Sequence, residues 1–206
     1  MSLILTLHPQ NPQTHLLRKA IAVIKSGGII VYPTDSGYAL ACHLGDKKAL
    51  DKIRLIRKLD QDHYFTLVCR DLSEISTYAI IDDAVYRILK TYLPGPYTFI
   101  LKATKETPRR LQNNKRKTIG IRVPNHIIAH ALLDMLDEPL MSTTLTIPGE
   151  EVNILRAQTI YDILGNQIDL VLDGGDCGLS PTSVIDLSGH TPVVIREGKG
   201  DVDAFL

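Results

Sequence analysis

An apolar segment, a polar turn and a second apolar segment, together residues 28–44, restrict the fold of this chain most strongly. Residues 28–32 are typical of a buried strand. Pro33 has no N–H group and cannot continue a central ladder of the sheet. The turn residues 34–37, Thr-Asp-Ser-Gly, carry hydroxyls, a carboxylate and backbone N–H groups. Polar groups at the end of a rigid strand are suited to a ligand site, but a simple turn between two strands explains the pattern equally well.

The composition indicates one globular domain. The chain has 206 residues, of which 44% are hydrophobic and 22% charged, so we predict a single domain over residues 1–206. Three cysteines without a C-x-x-C pair favour reduced thiols. The apolar residues 3–7 have no basic region before them, and no apolar run approaches the ~18 residues that cross a bilayer. A cytoplasmic protein without a membrane partner is therefore predicted.

Helices and strands alternate along the chain, but irregularly. Apolar periodicity and capping residues predict helices at 13–26, 47–58, 82–92, 125–136 and 154–164, one more from Asp71, and helical turns at 107–111 and from Asp201. Strands are predicted at 3–7, 28–32, 38–44, 64–69, 97–101, 118–123, 140–147, 168–172, 182–187 and 193–196. Because some strands follow one another directly, we predict an α+β fold with a mixed parallel and antiparallel sheet and flanking helices.

Positive charge is concentrated in one segment. Residues 102–122 carry eight Lys or Arg and one acidic residue, although the whole chain has a formal net charge of zero. Such a block is typical of a protein with an anionic partner, and a solvated charged loop is the alternative.

Hydroxyl groups and arginines occur at the ends of several predicted strands. Guanidinium groups and hydroxyls together suit a carboxylate or a phosphate, and strand ends of a mixed sheet often converge on one cleft. The ordinary β-propensity of threonine is the alternative explanation for the hydroxyl run at 142–146. The residues concerned are Thr34, Ser36, Thr118, Arg122, Ser142, Thr143, Thr144, Thr146, Thr182, Ser183 and Arg196.

No catalytic triad, P-loop, dinucleotide fingerprint or zinc pattern is present. His126 and His130 are spaced as two metal ligands on one helix face can be. No glutamate follows His126 as in a metalloprotease, so a pair in the core or on the surface is the favoured interpretation.

Six segments, in the same order along the chain, resemble motifs of the YrdC/YciO superfamily, whose best-known members are threonylcarbamoyl-AMP synthases. Residues 27–40, GGIIVYPTDSGYAL, are similar to the Y-P-T-E-T-x-Y-G-L signature. Residues 93–99, LPGPYTF, are similar to W-P-G-P-x-T-F. The other four segments are IGIRVP at 119–124, PLMSTT at 139–144, PTSVID at 181–186 and REG at 196–198.

The resemblance implies a twisted, YrdC/RibB-like sheet with a large electropositive cleft. It also implies the synthesis of threonylcarbamoyl-AMP and pyrophosphate from L-threonine, bicarbonate and ATP, with Mg²⁺, for the modification of adenosine 37 in tRNA. The residues that match the amino-acid side of the family's site are Thr34, His63, Arg122, Ser142, Thr182 and Ser183. Those that match the nucleotide side are Arg57, Thr118, Thr144 and Arg196.

The chain departs from the synthase pattern in three places and is most similar to the YciO branch. Arg57-Lys58-Leu59 stands where synthases carry K-x-R, so the second base is replaced by leucine. Thr144-Leu145-Thr146 replaces S-x-N, and Asp35 replaces the glutamate of P-T-E-T. Since a charge-assisted contact contributes about 1.5–3 kcal/mol, we expect weak synthase activity or a different reaction on a related ligand.

The resemblance also leaves a second function open, since small members of this superfamily have been described as binding RNA. The basic segment offers Arg109, Arg110, Lys115, Arg116 and Lys117 for the phosphates of tRNA or double-stranded RNA. Replacing Lys115, Arg116 and Lys117 by alanine should then weaken RNA binding and leave small-ligand binding unchanged.

Overall fold

The computed structural model describes residues 2–59, 65–113, 115–146 and 156–206. Ten strands in these residues form one sheet: β1 (Leu3–Thr6), β2 (Ile30–Thr34), β3 (Gly37–His43), β4 (Thr66–Val68), β5 (Tyr97–Lys102), β6 (Thr118–Arg122), β7 (Leu140–Thr144), β8 (Leu170–Asp173), β9 (Ser183–Asp186) and β10 (Val193–Arg196). Their order is β1-β8-β2-β3-β7-β4-β6-β5-β9-β10. Four of the pairings are parallel and five antiparallel. The predicted α+β fold with a mixed sheet is confirmed.

Helices pack on both faces of the sheet. The α-helices of the described residues are α1 (Thr14–Lys25), α2 (Lys47–Arg57), α3 (Leu72–Tyr78), α4 (Asp83–Tyr92), α5 (Ile127–Leu136) and α6 (Ala157–Leu164), with short 3₁₀ turns at Arg109–Leu111 and Asp203–Phe205. The predicted caps form, since Asp46 accepts a hydrogen bond from the Ala49 N–H and Asp71 accepts one from the Glu74 N–H. No helix in the described part of the chain is long and apolar enough to cross a membrane.

The segment around residues 28–44 is an antiparallel hairpin at the centre of the sheet. Strand β2 continues through Pro33 to Thr34, two residues beyond the predicted end. Proline is tolerated there because β8 pairs with β2 only at Ile30 and Val31, so the missing N–H interrupts no ladder. The turn residue Gly37 has a φ of +121°, which glycine adopts at no steric cost.

Alternate residues of the strands enter two separate apolar cores. One core packs α2, α3, α4 and α6 against the sheet and includes Ile119 and Ile121 of β6. The other core lies on the opposite face, and its buried helical residues all come from α1 and α5. This second core takes no residue from β5, β6, β9 or β10.

Among the described residues, the cover of this second face extends over only half of the sheet. Helices α1 and α5 cover the strands on the β1 side, whereas the β5, β6, β9 and β10 positions on this face line a cavity. We name the uncovered part of this face the open half. Along β5 and β6 its residues alternate with buried core residues, which is the period-two pattern of a sheet.

Candidate ligand-binding cleft

A cavity of about 480 Å³ lies on the open half. This volume is within the usual range for a small-molecule site. Its floor is made by residues of neighbouring strands that lie opposite one another. One row across the sheet consists of Ser142, Thr66, Gly120, Ile100 and Asp186. The cleft thus extends over the face of the strands, whereas the sequence pointed only to their ends.

Arg122 on β6 is buried at the edge of this floor, with 7% of its surface exposed. Its Nη2 donates hydrogen bonds to an oxygen of the Asp35 carboxylate and to Thr34 Oγ1. The other Asp35 oxygen accepts from the Asn125 N–H at 3.1 Å. Both side chains of the Arg122–Asp35 ion pair are less than 10% exposed. The pair links the turn after β2 to the end of β6 and so fixes one end of the cleft.

Arg57, the last residue of α2, also lines the cavity. Its Nη1 donates to Thr143 Oγ1 at 3.2 Å, and its Nε is buried without a partner among the described residues. No described carboxylate lies within ion-pair distance of it, and burial lowers the pKa of this guanidinium from its ordinary value. A cation that is half removed from water and lacks a counter-charge is suited to hold an anion.

Arg196 is the second arginine of the cleft without a carboxylate partner in the described chain. Its Nε and Nη2 donate to the Thr182 carbonyl at 3.1 and 2.8 Å, and Nη2 also donates to Thr182 Oγ1 at 3.1 Å. Thr98 Oγ1 lies 3.0 Å from the same hydroxyl. These contacts hold the guanidinium in one orientation over the floor.

Arg116 and Asp186 close the side of the cleft near β9. Arg116 Nη1 donates to Asp186 Oδ2 at 3.2 Å, and Asp186 Oδ1 accepts from both the N–H and the hydroxyl of Ser188. Among the described residues, the charged groups lining the cavity are thus four guanidinium groups and one carboxylate. That balance favours an anionic ligand.

The structure brings together most of the predicted site residues. Those that line the cavity are Arg57, Thr118, Arg122, Ser142, Thr144, Thr182 and Arg196. Ser142 Oγ donates to the Leu40 carbonyl and lies 3.1 Å from the Tyr32 hydroxyl, so its own hydrogen is already used inside the protein. His63 falls outside the described residues.

Two predicted residues are buried behind the cleft and do not line it. Thr34 is 1% exposed, and its hydroxyl donates to the Gly37 carbonyl at 2.6 Å and accepts from Arg122. Ser183 is fully buried; its hydroxyl donates to the Gly200 carbonyl and accepts from the Gly198 N–H. In this arrangement both hydroxyls fix loops that border the cleft. Period-two alternation predicts on which face of the sheet a side chain lies, but it does not predict which other residues cover that face. The burial of Thr34 and Ser183 could therefore not be predicted from the sequence.

The predicted RNA-binding residues lie on a turn beside the cleft. Asn113 Oδ1 accepts from the N–H groups of Lys115 and Arg116 and holds this turn. Lys115, Arg116 and Lys117 are exposed, as is Arg109, while the Arg110 backbone lies in the 3₁₀ turn. Arg116 also lines the cavity, so the triple alanine variant would change a wall of the cleft as well as the basic turn. The local sequence gave no sign that this side chain reaches Asp186, 70 residues later.

Within the described residues, His126 and His130 belong to no cluster of possible metal ligands. His126 immediately precedes α5, and burial lowers the pKa of its imidazole from the ordinary value. In the part of the chain that the structure describes, no three His, Cys, Asp or Glu side chains lie close enough together to hold a metal ion.

The fold is a mixed α+β sheet with an arginine- and hydroxyl-lined cleft on its open half. The chain belongs to the Sua5/YciO/YrdC family, whose model, described as "Telomere recombination", matches residues 22–198. The resemblance found in the sequence motifs is thereby confirmed.

Three relatives illustrate the range of this family. The chain is 54% identical to the YciO protein of Escherichia coli strain K12 over the full length of both, and it matches the crystal structure of E. coli YciO with a TM-score of 0.95. It is 31% identical to the threonylcarbamoyl-AMP synthase of Coxiella burnetii, over 89% of this chain and 93% of the synthase. P. abyssi Sua5, crystallised with L-threonine, shares the fold, with a TM-score of 0.87 and 24% identity over 96% of this chain and 58% of Sua5.

Proposed function

We propose that the cleft binds a nucleotide and an amino acid and that it supports weak or altered threonylcarbamoyl-AMP synthase chemistry. The observation that carries this proposal is a pair of arginines, Arg57 and Arg196, that have no carboxylate partner in the described part of the chain. Both line one cavity with a hydroxyl-rich floor. Guanidinium groups of this kind suit phosphate oxygens. The synthase of C. burnetii, which is similar over most of the chain, makes the nucleotide a specific candidate.

In this proposal, L-threonine lies at the Arg122 and Ser142 end of the floor. Arg57, Thr118, Thr144 and Arg196 hold ATP. The amino group of threonine adds to CO₂ with loss of a proton, or to bicarbonate with loss of water. An oxygen of the resulting carbamate then attacks the α-phosphate, and the bond between the α-phosphorus and the oxygen that bridges to the β-phosphate breaks, which releases pyrophosphate. The protein positions the reactants and neutralises charge without forming a covalent intermediate.

The described residues of the cleft do not provide enough free ligands to hold a metal ion without the help of a bound substrate. Asp186 is the carboxylate that lines the cavity within the described chain, and Arg116 and Ser188 already occupy its oxygens. Mg²⁺ therefore enters the proposal as an ion bound by the phosphates of ATP, which is its usual mode in nucleotide sites.

Two features of the cleft support lowered or altered activity. Leu59, in the position of the second base of K-x-R, packs against the apolar core on the other face of the sheet and supplies no charge. Thr144 and Thr146 both line the cavity, so hydroxyls stand where synthases offer a serine and an amide. Fewer charge-assisted contacts to a triphosphate weaken its binding and its orientation for in-line attack.

Calorimetry with Mg²⁺-ATP and with L-threonine, followed by an assay of pyrophosphate release, tests this function. We expect both ligands to bind and pyrophosphate to form much more slowly than with the C. burnetii synthase assayed in parallel. The protein should also rescue tRNA modification poorly when it replaces a true synthase. No heat with either ligand at millimolar concentration would refute the proposal, and turnover equal to that of the synthase would refute the lowered activity.

A second candidate function, binding to tRNA or double-stranded RNA, is favoured by the exposed basic turn that Asn113 holds beside the cleft. Because Arg116 lines the cavity, the better test variant is K115A/K117A, which leaves the Arg116–Asp186 contact in place. We expect this variant to weaken RNA binding and to reduce the slope of log affinity against log salt by about 2.

The matched control for that experiment is K47A/K48A, which removes two exposed lysines from the start of α2. Its RNA affinity should stay close to that of the unaltered protein. Equal losses of RNA affinity in both variants would indicate that RNA is attracted by the total charge of the protein and not by the basic turn. An RNA affinity that does not change with salt would contradict binding through phosphate neutralisation.

A further inference from the structure

Gly120 lies at the centre of the cleft floor. Along β6 it is flanked on the same face by Thr118 and Arg122, while Ile119 and Ile121 point into the core on the other face. Across the sheet it lies opposite Thr66 on β4 and Ile100 on β5. All four of its neighbours on the open half carry side chains, so the missing side chain leaves a depression in the floor.

The fold itself does not require glycine at this position. The backbone of Gly120 is not in the left-handed region. A Cβ atom built there would lie 3.5 Å from Thr98 Cγ2 and 3.7 Å from Thr66 Oγ1, which is ordinary van der Waals contact. By contrast, a Cβ at Gly200 would lie 2.4 Å from the Tyr97 ring, and one at Gly174 would lie 2.6 Å from Ile128 Cδ1. Packing explains those two glycines, but it does not explain Gly120.

Glycine inside a strand is unfavourable, because it gives no side chain to pack and loses more conformational freedom on folding than any other residue. Where neither the dihedral angles nor the packing demands a glycine, the remaining reason for a glycine in a strand is the close approach of another group to the backbone. At Gly120 no described protein group occupies that space, since Gly120 borders the cavity. With no described protein group in that space, we take a ligand in the cavity to be the group that approaches.

We propose that Gly120 is a ligand-contacting position, over which the phosphate-bearing middle of the bound nucleotide lies against the β6 backbone. This inference rests on the proposed function. Gly120 separates Arg122, at the amino-acid end, from Thr118, at the nucleotide end, so the groups that join the two halves of the ligand must pass over it. A side chain at this point would lift those groups off the floor and away from the arginines.

The test compares G120A and G120V with the unaltered protein and with G189A. Gly189 is exposed and lies outside this cavity, its φ is not in the left-handed region, and a Cβ there would meet only the Thr191 carbonyl oxygen, at 3.8 Å. The affinity for Mg²⁺-ATP is measured by calorimetry, alone and with saturating L-threonine. Thermal unfolding without ligand is measured for all four proteins.

We expect G120A to weaken Mg²⁺-ATP binding about tenfold and G120V to weaken it further, because the added methyl groups overfill a closely packed contact. Without ligand, the thermal midpoint of G120A should equal or exceed that of the unaltered protein, since alanine fits there and reduces the freedom of the unfolded chain. G189A should bind as the unaltered protein does. Loss of binding together with retained stability is the signature of a ligand contact.

Three other outcomes would each overturn the inference. If the unaltered protein binds Mg²⁺-ATP and both Gly120 variants bind it equally well, the inference fails and the proposed function stands. If the unaltered protein does not bind Mg²⁺-ATP at all, both fail. If the thermal midpoint of G120A falls well below that of G189A, glycine is needed by the fold and the ligand argument is overturned.

Discussion

The D35N variant should be less stable than the unaltered protein by about 3–5 kcal/mol, because it leaves the buried Arg122 charge without its counter-charge. The Asp35 and Arg122 side chains are 9% and 8% exposed, so water solvates the unpaired guanidinium poorly when the carboxylate is lost. Asp35 also accepts from the Asn125 N–H, which ties the loop before α5 to the hairpin turn. For a chain of this size the thermal midpoint should fall by roughly 10 °C, measured together with urea unfolding.

The matched control is D137N at the exposed ion pair with Arg70, where the Asp137 side chain is 80% exposed. Asp137 has a φ of +58°, which asparagine also tolerates. We expect a loss of less than about 1 kcal/mol there. Equal losses in the two variants would contradict the assignment of Asp35 as a buried counter-ion.

Removing the charges of both Asp35 and Arg122 is a second test of the assignment of Asp35 as a buried counter-ion. The double variant D35A/R122M has no unpaired buried charge and should regain part of the stability that D35A alone loses. The double-mutant cycle over these two positions measures the coupling between them. No recovery in the double variant would show that the shape of the carboxylate, rather than its charge, is what stabilises the hairpin turn.

The R57A variant should bind Mg²⁺-ATP about 10- to 100-fold more weakly, which corresponds to the loss of one charge-assisted contact. Its folding stability without ligand should be unchanged or slightly higher. The reason is that Arg57 is half buried, has no carboxylate partner among the described residues and has a pKa lowered by burial, so holding its charge costs free energy. Calorimetry and thermal unfolding measure the two effects separately.

R54A, one turn earlier on α2, is the control for this experiment. Arg54 pairs with Asp51 at 3.3 Å and lies over the Phe65 ring, outside the cavity lining. Its removal should lower stability modestly and leave the affinity for Mg²⁺-ATP unchanged. The opposite pattern, in which R54A loses affinity and R57A does not, would remove Arg57 from the nucleotide site.

Much of the fold follows from local sequence patterns. The caps at Asp46 and Asp71, the glycines after α1 and the alternation in β6 place most helices and strands within a few residues of their observed bounds. Each of these patterns depends on only a few neighbouring residues, and the corresponding local contacts are present in the folded protein. Strand β2 extends through Pro33 and Thr34 because both residues pair with β3. Whether proline is tolerated there depends on β8, a distant segment of the chain, whose pairing with β2 stops at Val31.

The cleft could be predicted only in part. Residue types indicated an anion site, and seven of its predicted residues line one cavity. Thr66, Thr98 and Gly120 of the floor were missed, although the alternation of residues 97–102 places Thr98 on the face opposite the aromatic core. The reason is that the floor depends on the strand order, in which β4 lies between β6 and β7. No local pattern specifies that order.

The position of β8 has a consequence for the way the protein is made. Leu170 of β8 pairs with both Leu3 of β1 and Ile30 of β2, so two strands are joined by a third that leaves the ribosome much later than either. In the described sheet β8 is the one neighbour of β1. During synthesis β1 therefore has no partner and one edge of β2 stays open, which slows folding and exposes strand edges to other chains. The nascent chain is expected to need protection by chaperones until residue 173 has emerged.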